Sequence, residues 1–260
     1  MRPYLSSFIL LLPIAFAHAI PSYGFTTVID VPPQAAPQSI GSDTQLNLSG
    51  QGVLPINFLA GASDGSSSNV EVNISGGTVG HHFSAYAGST VNVSGGDLDF
   101  RFWTFTGSTA NITGGTFGRD TTLGTGSEVN IFGGTFDDEV HGLFRSTMNV
   151  WGGEFIYFQA HDQSVISFFG TSFFLDGVEM TNLNLGEPFV ITDRDVPFSA
   201  TLADGSAFSM YLNPVHPPHG SDPFHLFEPG ATLVVTLVPG MAGDFDEDGD
   251  VDGDDLLEWQ

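Results

Sequence analysis

Val72-Asn73-Ile74-Ser75-Gly76-Gly77, Val91-Asn92-Val93-Ser94-Gly95-Gly96, Ala110-Asn111-Ile112-Thr113-Gly114-Gly115, Val129-Asn130-Ile131-Phe132-Gly133-Gly134 and Met148-Asn149-Val150-Trp151-Gly152-Gly153 are five copies of one pattern, each beginning 19 residues after the last. A sixth, degenerate copy, Ser167-Phe168-Phe169-Gly170, follows at a spacing of 18 from Asn149. A fixed short period of this kind marks a stacked repeat architecture. Within each copy the apolar residues alternate with polar ones, the period of a β-strand. The Gly-Gly pair that follows suits a tight corner, because glycine tolerates positive φ.

Outward from the hexapeptide the phase continues. Val79, Leu98, Phe117, Phe136 and Phe155 recur as a second apolar column. Phe83, Phe102 and Val140, with Tyr86, Phe105 and Leu143, suggest a third wall, and Gly88-Ser89, Gly107-Ser108 and Gly126-Ser127 mark turns in phase. One coil of 19 residues cannot bury its own apolar face, whereas coils stacked at about 4.8 Å can. The expectation is an all-β chain: a parallel β-helix, or β-solenoid, over 68–170.

Two outward columns invite interpretation. Asn73, Asn92, Asn111, Asn130 and Asn149 fit a side-chain amide ladder that holds register. The next outward column reads Ser75, Ser94, Thr113, Phe132, Trp151 and Phe169. Its three aromatics are the candidate ligand-binding residues: aromatic rings at adjacent coils can pack against sugar rings. The other reading of Phe132, Trp151 and Phe169 is a patch covered by the segment that follows the repeats.

Composition narrows the function. Thirty acidic residues against five basic ones give a net charge of -25, with no lysine and no cysteine. Binding to nucleic acid needs a basic surface, and electrostatic docking on anionic lipid needs basic clusters. Both are disfavoured, and thiol chemistry, disulfides and Cys-ligated zinc are excluded.

The N-terminus carries Arg2, then the apolar run Phe8–Phe16, then Ala17-His18-Ala19. This is the pattern of a secretory signal peptide over 1–19, cleaved after Ala19. The run is too short to span a membrane, so the expected destination is extracellular or the cell surface. Residues 20–67 then form an N-terminal segment or cap.

After the repeats, 171–239 reads as an antiparallel β cap. Phe173-Phe174-Leu175-Asp176-Gly177 is a strand entering a turn. Phe198–Leu202, Ala203-Asp204-Gly205 and Ser206–Leu212 read as a hairpin, and Ala231–Val238 reads as a final apolar strand of the cap. His216, His219 and His225 form a candidate metal cluster in a proline-rich loop.

Charged residues gather in the second half of each repeat: His81-His82, Asp99 and Arg101, Arg119-Asp120, Asp137-Asp138-Glu139, His141 and His161-Asp162. Asp137 and Asp138 could act as an acid and base only if their pKa values were split, and adjacent strand residues point to opposite faces. Pectin-cleaving hydrolases of this architecture use a histidine and an R-x-K element, whose lysine this chain lacks. Arg101 or Arg119 could serve a lyase as base. Solvated loop charges, with Arg145 and Glu139 as one pair, are the plainer account, and no catalytic residue is assigned.

Nine of the thirty acids lie in the last seventeen residues. Asp244, Asp246, Asp248, Asp250, Asp252 and Asp255 occupy positions 1, 3, 5, 7, 9 and 12 of a calcium loop, with Gly249 at the sharp turn. Residues 240–260 therefore read as a calcium site. This segment resembles one half of a type I dockerin, with Asp at position 12 and Leu256-Leu257-Glu258-Trp259 at the start of the following helix. That resemblance implies a cohesin-like partner and assembly on extracellular polysaccharide. The repeats, over about 70 to 240, resemble the Gly-Gly repeat regions of secreted bacterial adhesin-like β-helix proteins. Taken together, the sequence points to a secreted calcium-binding solenoid with a structural, adhesive or glycan-contacting role. The alternative is a polysaccharide lyase or glycoside hydrolase assembled through a dockerin.

Overall fold

The computed structural model describes residues 24–215 and 225–239, and among these every regular element is a β-strand. The segments read as a signal peptide (1–19) and a calcium loop (240–260) lie outside the described residues. The strands stack in parallel and in register as a β-solenoid with three walls.

The first wall carries the hexapeptides. Val70–Val79 pairs in parallel with Ser89–Leu98, placing Asn73 on Asn92, and the alignment continues through Thr109–Ile112, Glu128–Ile131 and Thr147–Val150 to Val165–Leu175. The last step pairs Asn149 with Ser167, so the coil shortens by one residue without losing register. The second wall consists of two-residue steps such as Thr116-Phe117 on Thr135-Phe136. The third wall holds Phe83–Ala85, Phe102–Thr104 and Thr121–Leu123, continuing into Thr135–Gly142 and Glu154–Ala160.

Alternation sorts the side chains. Val72, Ile74, Val91, Val93, Ile112, Ile131 and Val150 are buried and point into the core. Phe117 stacks on Phe136 at 4.6 Å, and Phe136 on Phe155 at 4.8 Å, so one apolar residue per coil becomes a continuous stack. The third-wall strand is short, with 83 and 85 inward. Residue 86 therefore falls at the corner, and Tyr86, Phe105 and Leu143 are half-buried outside the core, contrary to the sequence expectation. The interior positions there belong to Ala85, Thr104, Leu123 and Ala160.

The corners show why these residues recur. At Gly114 a Cβ would meet the Ser94 carbonyl oxygen at 2.7 Å, and Gly115 sits at φ +97°, a left-handed conformation. At the opposite corner the buried serines bond back to the turn: Ser108 Oγ donates to Phe105 O at 2.6 Å, and Ser127 Oγ to Gly124 O at 2.7 Å. Serine persists even where the preceding glycine is lost, at Arg145-Ser146 and Gln163-Ser164, with φ of 61° and 63°.

The stacking also reaches beyond 68–170. Thr27–Val31 pairs in parallel with Thr44–Leu48, which pairs in parallel with Val70–Val79. At the other end Leu226-Phe227 adds to the third wall, and Thr232–Leu237 pairs in parallel with Val165–Leu175. The final apolar strand is thus a further rung of the first wall. Its antiparallel neighbour is Pro188–Ile191.

Between these rungs the chain makes an antiparallel excursion. Leu175 and Val178 face each other across a turn at Asp176-Gly177, and Pro197–Leu202 pairs with both Val165–Leu175 and Ala207–Tyr211. The expected hairpin is present. Its Phe208 packs on Phe168 at 4.5 Å and Phe158 at 5.8 Å, sealing the end of the core. Arg194 ties the excursion to the last coil: Nη2 donates to Ala231 O at 2.6 Å, Nη1 to Asp193 O at 2.8 Å, and the guanidinium lies over the Phe227 ring.

Candidate functional site

The outward column named from the sequence is one continuous stack. Phe132 and Trp151 lie 4.6 Å apart between ring centroids with planes 11° apart, and Trp151 and Phe169 lie 4.2 Å apart with planes 7° apart. The parallel register aligns successive coils, so each ring faces its neighbour along the axis. Phe132 is 38% exposed, and Trp151 and Phe169 are half-buried. The faces of Trp151 are engaged on both sides, and what the column presents outward is ring edges.

Beside this column runs the glycine corner. The absence of side chains there leaves an open groove of about 560 Å³, floored by Gly96, Gly115, Gly134 and Gly153 and edged by Asp97, Glu154 and Asp204. The hairpin turn docks at its far end. Ala203 N–H donates to Phe169 O at 3.0 Å and Asp204 N–H to Trp151 O at 3.1 Å, while Asp204 Oδ2 accepts from Gly153 N–H at 3.0 Å. The excursion therefore grips the backbone beneath Trp151 and Phe169 and leaves Phe132 at the surface.

The charged residues of the second half-repeat assemble on a different corner, between the second and third walls. His82, Arg101 and Asp120 turn it with φ of 64°, 64° and 65°. There the basic side chains reach one coil forward. His81 Nε2 meets Asp99 Oδ2 at 2.7 Å, Arg101 Nε meets Asp120 Oδ2 at 2.9 Å, and Arg119 Nε lies 3.7 Å from Asp138 Oδ2. His141 Nε2 meets Glu139 Oε2 at 2.9 Å and lies 4.0 Å from Asp120 Oδ1. Burial pushes the His141 imidazole below the usual histidine range, against the opposing pull of Glu139 and Asp120. Glu139 thus partners His141, and Arg145 instead donates Nε to Gln163 Oε1 at 3.2 Å. The contacts of His81, Arg101 and Arg119 form a diagonal ladder between coils, a pattern visible in sequence only once the 19-residue register is applied to both signs of charge.

Of the histidine trio, His216 and His219 lie outside the described residues. His225 is buried, and its Nδ1 accepts the Phe158 backbone N–H at 3.2 Å. Among the described residues no group of three or more His, Asp or Glu side chains is arranged to hold a metal. The expected calcium ligands Asp244, Asp246, Asp248, Asp250, Asp252 and Asp255 lie outside the described residues. Among the described residues no helix is long and apolar enough to cross a membrane.

No family model, curated protein or solved structure matches this chain. The functional reading therefore rests on the chain's own residues.

Proposed function

We propose that this chain is a secreted calcium-binding β-solenoid with an adhesive, glycan-contacting role at the cell surface. The observation that carries this reading is the aromatic column of Phe132, Trp151 and Phe169 running beside an open, side-chain-free groove. A column with one ring per coil repeats at about 4.8 Å, close to the length of one sugar residue in an extended polysaccharide. Ring edges and the carboxylates of Asp97 and Glu154 would meet the sugar's C–H and O–H groups along that line.

The ion-pair ladder speaks against the enzymatic alternative at that corner. A glycoside hydrolase needs two carboxylates flanking an open site, whereas Asp120 and Asp138 each face an arginine, and Asp99 and Glu139 each meet a histidine. Arg101, a formal lyase base, is held by Asp120. Calcium belongs to the acidic loop at 244–255, whose ligand spacing supports it, and a cohesin-like module would be the partner of that loop.

Affinity electrophoresis against a panel of extracellular polysaccharides, with product release followed in parallel, tests the proposal. Retardation without release of reducing ends or unsaturated products is expected. Turnover of any polysaccharide in the panel would replace this reading with the enzymatic one.

A further inference from the structure

The corner column on the third wall contains a gap. Tyr86 and Phe105 stack at 4.8 Å with planes 9° apart, but the next coil places Gly124 where a third side chain would stand, and Leu143 follows one coil later. The gap is fixed by the backbone: a Cβ at 124 would lie 2.1 Å from the Thr104 carbonyl oxygen. What results is a notch of about 250 Å³. Tyr86 covers one face of Phe105, and the other face looks along the axis into the notch. Trp103 stands nearly perpendicular to Phe105, at 88° and 6.2 Å, and Leu143 closes the far side.

The rim is uncharged, although the chain carries a net -25. Its polar groups include threonine hydroxyls, two of which have committed protons. Thr122 Oγ1 donates to Asp120 Oδ1 at 3.0 Å, and Thr106 Oγ1 donates to the Thr125 carbonyl. Both hydroxyls keep lone pairs for an incoming donor. The Trp103 indole N–H is shielded from solvent and has no hydrogen-bond partner among the described residues.

The geometry points to a binding subsite for one neutral pyranose ring in this notch. A pyranose has an apolar face to lie on Phe105 and hydroxyl protons for the threonine oxygens. The notch is smaller than the roughly 300–1,000 Å³ of pockets for drug-sized ligands, which suits a single ring of a longer chain. The choice of a sugar rests on the glycan-contacting reading above, but the site is separate from the Phe132–Trp151–Phe169 column.

The chain's three tryptophans, Trp103, Trp151 and Trp259, give the test its resolution. In the full-length ¹⁵N-labelled protein their indole signals are assigned with Trp103→Phe and Trp151→Phe, and methyl pyranosides and short oligosaccharides are titrated in. A saturable shift of the Trp103 signal is expected with at least one neutral sugar. Its affinity should fall at least tenfold in Phe105→Ala and be lost in Leu143→Tyr, which fills the notch, with backbone amide spectra verifying that each variant is folded. A Trp103 signal that no sugar moves, or one that moves equally in Leu143→Tyr, overturns the subsite. So does a shift produced by p-cresol, the tyrosine side-chain analogue, and by no sugar. Movement of the Trp151 signal alone overturns the notch while sustaining the glycan reading, whereas silence at both sites, with no polysaccharide retained, removes both.

Discussion

Asn130 donates its side-chain amide to Asn111 Oδ1, one coil earlier, at 3.0 Å. The same bond recurs from Asn149 to Asn130, Asn111 to Asn92, Asn92 to Asn73 and Asn73 to Asn47, and the ladder ends where Asn47 donates to Asp30 Oδ1. An interior rung is both donor and acceptor. Asn111→Ala should therefore strand two half-buried polar groups and cost about 1–3 kcal/mol. Asn149, the terminal rung, donates one ladder bond, so Asn149→Ala should cost less. Urea denaturation of the two variants beside the parent measures the order, and equal losses would show that the ladder does not act as a chain.

The same ladder bears on modification. Asn73, Asn92 and Asn111 sit in N-x-S/T sequons, yet each amide is bonded on the ladder. Protein exported in folded form by a glycosylating host should carry no glycan at these positions. Intact mass before and after glycosidase treatment decides this, and a mass loss on folded protein would contradict it.

Two phenylalanines four residues apart should respond very differently. Phe136 is 1% exposed and stacked on both sides inside the core, whereas Phe132 is 38% exposed. Phe136→Ala should cost about 3–5 kcal/mol. Phe132→Ala loses chiefly one outward aromatic contact, about 0.5–1.5 kcal/mol. Thermal or urea unfolding of both variants gives the comparison.

Much of this was legible in the sequence because in-register stacking turns a linear period directly into columns. The amide ladder, the aromatic column, the Gly-Gly corners and the Asp-Gly hairpin all follow from spacing. The first coils were hidden because Asn47 lies 26 residues before Asn73 and Asp30 lies 17 before Asn47, which breaks the period without breaking the register. Thr232–Leu237 was hidden for a related reason. A strand's own sequence does not reveal whether its neighbour runs parallel, and here a long excursion separates it from Val165–Leu175. The notch at Gly124 was invisible because nothing in a glycine codon-by-codon distinguishes a turn from a missing side chain in a stack.

Stability should fall in mild acid, in part through His141. Burial lowers its folded-state pKa below the unfolded value of about 6.5. The unfolded chain then binds more protons in the window between the two values. The stabilisation is complete above about pH 6.5 and is lost progressively as pH falls toward the folded pKa. Glu139 and Asp120 oppose the shift, so the loss is partial. His141→Asn should flatten the pH dependence of the urea midpoint in that window, and an unchanged slope would assign the acid sensitivity elsewhere.

The acidic loop gives a separate expectation. Calcium should bind the full-length chain with heat that EGTA reverses, and Asp248→Ala should abolish it, since position 5 supplies a side-chain oxygen to the ion. Calorimetry on parent and variant measures this, and calcium heat that survives in the variant would place the ion elsewhere.

The aromatic column is the centre of the functional account, and Trp151, stacked at 4.6 Å on Phe132 and 4.2 Å on Phe169, is its middle ring. A glycan array probed with the parent chain and with Trp151→Ala, both verified as folded, tests it most directly. The account predicts binding to a restricted set of glycans by the parent and its loss in the variant. Undiminished binding by folded Trp151→Ala would contradict it.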